Sequence, residues 1–100
     1  HKILYRARDY HGSTIATMSA GGQHERNAQY GPFTPGFVRV PHCLEYRAFE
    51  QDGAPQEHYG EWAADQIEKV ILAEGPDTVG ALCLEPVTAG GGVITPPPGY

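Results

Sequence analysis

The sequence predicts an α/β chain built on a mostly parallel sheet with flanking helices. Three observations carry that expectation. Strand-type and helix-type segments alternate in the order strand, helix, strand, helix, strand. The run Thr78-Val79-Gly80-Ala81-Leu82-Cys83-Leu84 is apolar throughout. Strands that read this way are usually covered on both faces, as in parallel sheets. Residues 59–74 carry the clearest helical periodicity in the chain.

The elements follow in order. Residues 3–8 are apolar and then alternating, which predicts a strand broken by Asp9 to Gly12. Ser13 or Thr14 can cap a short helix through Ala20, with Ile15 and Met18 on one face and Gly21-Gly22 ending it. Residues 23–36, with two prolines and two glycines between Tyr30 and Gly36, read as loop. Phe37-Val38-Arg39-Val40 is a short strand closed by Pro41. Residues 42–58 are polar and aperiodic, which predicts a surface excursion. In the helix at 59–74, Ala63, Ile67, Val70 and Ile71 form one buried stripe, and Asp65 and Lys69 are spaced for an i,i+4 ion pair. Gly75-Pro76 stops that helix and the apolar run follows.

Composition narrows the function classes. The chain has 100 residues, 40% hydrophobic and 19% charged, which suits one small globular unit. A net charge of −5 gives no basic footprint for nucleic acid. No apolar run approaches the roughly 18 to 20 residues of a membrane span, and no secretory leader is visible. Cys43 and Cys83 make no disulfide framework, so a reduced, cytoplasmic setting is expected. The abrupt start at His1 and the stop after Pro96-Pro97-Pro98-Gly99-Tyr100 suggest an interior piece of a longer protein.

Ligands in open α/β sheets bind beyond the carboxyl ends of the strands. The first strand runs into Asp9-Tyr10-His11-Gly12, and the third into Glu85-Pro86 and Ala89-Gly90-Gly91-Gly92. Glu85 directly after an apolar strand is either a solvated boundary residue or a carboxylate held by a partner. Tyr10 offers a ring face and His11 a hydrogen bond or a proton, and both are equally suited to packing the loop. The glycine run permits close backbone approach to a ligand and also suits a plain turn. Ser13-Thr14 opens a helix whose amides can take an anion, although capping is their ordinary role. No metal site is expected, because His24, His42, Cys43 and His58 lack paired ligand spacing. Cys83, inside an apolar strand, is expected to act as a small hydrophobe.

Six segments then occur in a telling order. They are Tyr10-His11-Gly12-Ser13-Thr14, Pro35-Gly36-Phe37-Val38, Glu74-Gly75-Pro76, Glu85-Pro86-Val87, Gly91-Gly92-Val93-Ile94 and the terminal Pro-Gly-Tyr run. Together they resemble the class III pyridoxal-phosphate aminotransferases over nearly the whole chain. Residues 19–33 and 40–47 resemble the branch that passes the amine of taurine to pyruvate. The resemblance implies part of the large cofactor-binding domain of a fold type I transferase. It also implies pyridoxal 5'-phosphate as cofactor, small-molecule partners (an amino donor and pyruvate) and a homodimer.

Residue by residue, Tyr10 matches the aromatic that stacks on the cofactor ring. His11 and Gly12 match the same turn, and Glu85 matches the glutamate near the pyridine. At Gly90 many relatives that use glutamate carry a second glutamate, which restrains a substrate-binding arginine. Glycine there implies a roomier substrate pocket suited to ω-amino donors. The resemblance places the phosphate grip upstream of His1, and the pyridine-binding aspartate and cofactor-holding lysine downstream of Tyr100. Lys2 and Lys69, the only lysines, fit neither role, so no catalytic residue is assigned and the 100 residues alone are expected to be inert. Two alternatives stand beside this reading. One is a transaminase or aminomutase acting on another ω-amino acid or diamine. The other is a small non-catalytic α/β binding module.

Overall fold

A computed structural model describes residues 1–100. Strand β1 is Lys2–Arg6, β2 is Phe37–Val40 and β3 is Val79–Cys83. They form one sheet in the order β2-β1-β3, and both pairings are parallel. Leu4 pairs with Val38 on one side and Leu82 on the other, so all three carboxyl ends lie along one edge.

The connections explain where a site can form. From β1 the chain passes through α1 (Ile15–Ser19) and α2 (His24–Asn27) to β2 on one side. It returns through a 3-10 turn (Glu45–Glu50) and α3 (Tyr59–Glu74) to β3 on the other side. The direction of winding thus reverses at β1, so the switch point of the sheet lies between β1 and β3 at their carboxyl ends. Such switch points are where α/β sheets bind ligands.

The helix expected over residues 59–74 is Tyr59–Glu74. Its burial is less even than its pattern suggests. Tyr59, Gly60 and Ala63 are buried, whereas Ile67, Val70 and Ile71 are only half-buried. The first turn is the tight one, because a Cβ on Gly60 would lie 2.2 Å from the Pro98 carbonyl oxygen. The Asp65–Lys69 pair does not form, and Lys2 instead meets the far end of the helix at Glu74, 2.9 Å away. An exposed i,i+4 pair gains only a few tenths of a kcal/mol, too little to hold two long side chains.

Three more expectations change. α1 buries Ser19 and leaves Ile15 79% exposed, because the Ser19 hydroxyl takes up the Ile15 carbonyl at 2.7 Å and the Thr34 N–H at 2.9 Å. The loop at 23–36 contains α2, whose side chains are mostly exposed and so carry no apolar periodicity. The apolar strand β3 is an open edge within these residues, with Gly80, Ala81 and Leu82 exposed. No helix is long and apolar enough to cross a membrane.

Candidate functional site

Leu4 and Arg6 lie two apart on β1, so they share a face, and both are buried. A buried guanidinium is costly unless it is paired and hydrogen-bonded. Arg6 is 1% exposed and Asp9, at the turn after β1, is 0% exposed. The Arg6 Nε and Nη2 donate to Asp9 Oδ1 at 3.2 and 3.1 Å. The same Nη2 donates to the Glu85 carbonyl at 2.6 Å and to Thr88 Oγ1 at 3.0 Å. The Thr88 hydroxyl donates in turn to Asp9 Oδ1. Residues at the end of β1 are thereby tied to the loop that follows β3.

This network positions the two residues that the sequence singled out most sharply. Asp9 Oδ2 accepts the Glu85 N–H at 2.8 Å, and Glu85 Oε2 accepts the Tyr10 N–H at 2.9 Å. Glu85 Oε1 accepts the Ala89 N–H at 3.4 Å. The solvated reading of Glu85 therefore gives way to the paired one, with backbone amides as partners. Tyr10 stands at the crevice between β1 and β3, 40% exposed, with the Arg26 guanidinium 4.7 Å from its ring centroid. An aromatic held this way presents ring surface to a flat ligand.

His11 follows. Its Nδ1 lies 3.5 Å from Cys83 Sγ, and its Nε2 is buried without a hydrogen-bond partner. Cys83 is thus more than a small hydrophobe, because the end of β3 turns its thiol toward this imidazole. Gly12 has φ 123°, and a Cβ there would lie 2.9 Å from Thr17 Oγ1. That hydroxyl is engaged, since it accepts the Thr14 N–H at 3.0 Å. Ser13-Thr14 therefore serves the start of a five-residue helix.

The glycine run is a closed turn. Thr88 and Ile94 pair across it, N–H to carbonyl in both directions, at 3.0 and 2.8 Å. Gly90 packs against the Gln23 side chain. A Cβ there would meet the Gln23 Nε2 at 2.3 Å, so the Gln23 amide fills the space a side chain would take. Gln23 is itself fixed, donating to the Arg8 carbonyl at 3.1 Å and accepting from Arg26.

A second crevice lies between the carboxyl ends of β1 and β2, with a volume of about 450 Å³. Gly90, Gln23, Arg8, His42 and Glu50 line it. Sequence reasoning named none of the fixing residues Arg6, Asp9, Thr88 and Gln23 as site residues. The signal for Arg6 was present, since a cation two residues from Leu4 interrupts the apolar face of a strand. Lys2 caps the opposite end of the sheet, donating to the Glu74 carbonyl at 2.7 Å, and Lys69 is exposed on α3.

Tyr10, His11 and Glu85 come together at the carboxyl ends of β1 and β3. An open ring face stands beside a carboxylate, and the buried Nε2 of His11 awaits a partner. The family model for class-III aminotransferases matches residues 1–100. The chain is 71% identical over 99 residues to the hypotaurine/taurine–pyruvate aminotransferase of Paracoccus denitrificans, covering 99% of this chain and 21% of that relative. It is 65% identical over 99 residues to the taurine–pyruvate aminotransferase of Rhodobacter capsulatus, again covering 99% and 21%. The solved omega transaminase from Pseudomonas jessenii in complex with PMP superposes with a TM-score of 0.85 at 38% identity, over 99% of this chain and 22% of that one. The chain thus spans about a fifth of the length of the curated relatives it matches.

Proposed function

The chain belongs to the class III aminotransferases, and we propose that the full-length protein uses pyridoxal 5'-phosphate to move the amine of taurine to pyruvate. The products are sulfoacetaldehyde and alanine. The observation that carries the cofactor assignment is the 2.9 Å bond from the Tyr10 N–H to Glu85 Oε2 at the switch point. The substrate assignment rests on the identity to the two taurine–pyruvate relatives. In this reading residues 1–100 are part of the cofactor-binding large domain of a homodimer.

When bound, the cofactor supplies an aldehyde and an electron sink that carry an amine from donor to acceptor. Tyr10 would stack against its ring, and Glu85 holds the Tyr10 backbone in place for that contact. Glu85 also places a negative charge near the pyridine side. His11 offers Nε2 to a polar group at the crevice, and Gly12 turns the chain away where a side chain would strike Thr17. Gly90, with Gln23 packed against it, shapes the donor pocket. In this reading the cofactor-holding lysine, the pyridine-binding aspartate and the phosphate grip belong to the remainder of the protein, and neither Lys2 nor Lys69 takes the lysine's role.

A donor screen on the full-length protein, with pyruvate as acceptor, tests this directly. Alanine should form with taurine at a higher kcat/KM than with β-alanine or a simple amine. Absence of alanine from taurine overturns the substrate assignment. A second reading keeps pyruvate and replaces taurine with another ω-amino donor, and kinship to an omega transaminase favours it. The same screen separates the two. Gly90→Glu should impair the donor half-reaction, because it must displace Gln23, and unchanged donor kinetics would remove Gly90 from the pocket.

A further inference from the structure

The crevice between β1 and β2 holds groups that the transamination reading leaves unused. His42 follows β2 and is 3% exposed. Its Nδ1 accepts the Leu44 N–H at 3.2 Å, and a backbone N–H can only donate. The Tyr59 hydroxyl near that nitrogen donates to the His42 carbonyl at 2.6 Å. The ring proton of the neutral imidazole is therefore on Nε2. Burial, with the Arg8 charge, holds the imidazole below its ordinary pKa and so neutral. Nε2–H is buried, faces the crevice and has no hydrogen-bond partner, the nearest acceptor being Glu50 Oε2 at 3.6 Å. A buried donor left unmet is unfavourable, so it calls for a partner.

The surroundings indicate the partner's charge. Arg8 reaches Glu50 Oε2 at 2.6 Å, and Arg47 lies 3.6 Å from Glu50 Oε1. Arg8 is held at φ 76°, a conformation uncommon outside glycine, which directs its side chain over the crevice. Arg39 lines the same wall, and the carboxylates present are Glu25 and Glu50. Arg8 and Arg39 balance Glu25 and Glu50 along the lining, so turning Glu50 outward leaves one positive charge there. Glu50 itself is about a third exposed and sits on a surface turn, with Arg47 on its outer side.

We propose that this crevice binds a small monoanion, a carboxylate or a sulfonate, across Arg8 and His42 Nε2–H, and that Glu50 occupies the anion's place until one arrives. The bound oxygen takes the Nε2–H that Glu50 approaches but does not reach, and Glu50 turns outward to Arg47. The site stands on Arg8, His42 and Glu50 alone, so it can exist whichever amine the enzyme uses.

The test uses the full-length protein labelled with 15N-histidine, titrated at constant ionic strength with acetate and with methanesulfonate. The His42 Nε2 signal, assigned by its loss in His42→Gln, should shift and saturate with at least one probe. Glu50→Gln should tighten binding at least fivefold by vacating Arg8. Arg8→Asn should weaken it at least fivefold, and asparagine tolerates the left-handed backbone at that position. Circular dichroism of each variant checks the fold. A His42 signal that moves with neither probe in the wild type or in Glu50→Gln overturns the proposal. So does an Arg8→Asn variant that is folded and titrates like wild type.

Discussion

The two crevices at the carboxyl edge share β1 as a wall and differ in how their polar groups are satisfied. Between β1 and β3, Arg6, Asp9 and Thr88 are almost fully buried and bonded to one another. Between β1 and β2, Arg8 and Glu50 stay partly exposed and His42 Nε2 is buried without a hydrogen bond, 3.6 Å from Glu50 Oε2. The first arrangement spends its hydrogen bonds on holding Tyr10 and Glu85 still. The second keeps a donor and a cation in reserve. A saturated network positions its neighbours, and an unsaturated one invites a ligand.

Breaking the saturated side should have the largest effect. Asp9→Ala leaves the Arg6 guanidinium buried without its counter-charge. Loss of one partner of a buried pair costs about 3–5 kcal/mol. Chemical denaturation of the full-length protein should show a transition at markedly lower denaturant. A change within experimental error would mean that the network does not hold this edge together.

Gly22→Ala tests the same side from its neighbour. The Gly22 N–H donates to the Asp9 carbonyl at 2.8 Å, and a Cβ there would lie 2.2 Å from the Arg6 carbonyl oxygen. Backbone on both sides cannot yield as a flexible side chain can. Overpacking of this kind costs about 1–3 kcal/mol, measured by the same denaturation. Gly90→Ala makes the contrast, because it meets the far end of Gln23 and should cost less than Gly22→Ala.

The smallest effect comes from the unsaturated side. Burial depresses the His42 pKa below the ordinary 6.5. In that window the unfolded chain binds a proton that the folded chain does not, so stability falls as pH drops below about 6.5 and levels off below the folded value. Unfolding curves at descending pH should show this slope, and His42→Gln should flatten it. An equal slope in the variant would assign the dependence to another group.

Much of the fold was legible in the sequence. The helix at 59–74 and the strand at 37–40 stand where their patterns place them, because each pattern spans a whole element. The depth of burial along α3 was not legible, since it depends on what packs against each turn. Nor was the open edge of β3, because an apolar run reports what a strand prefers and not how much of the sheet is at hand. At the site, Tyr10 and Glu85 announced themselves by residue type at strand ends. Asp9 and Thr88 did not, although they fix both, because their importance comes from meeting Arg6 across three positions in one case and 82 in the other. Gln23 filled the space at Gly90 for the same reason, a contact that no local pattern encodes.

The central claim is that the β1/β3 crevice holds the cofactor and the β1/β2 crevice does not. Titrating the full-length apoprotein with pyridoxal 5'-phosphate tests it most directly, comparing Tyr10→Ala with Arg8→Asn. Aromatic stacking contributes about 0.5–1.5 kcal/mol beyond the area it covers, so Tyr10→Ala should weaken cofactor binding by roughly tenfold. Arg8→Asn should bind as the wild type does. Equal affinity for Tyr10→Ala and wild type, or a loss confined to Arg8→Asn, would contradict the assignment.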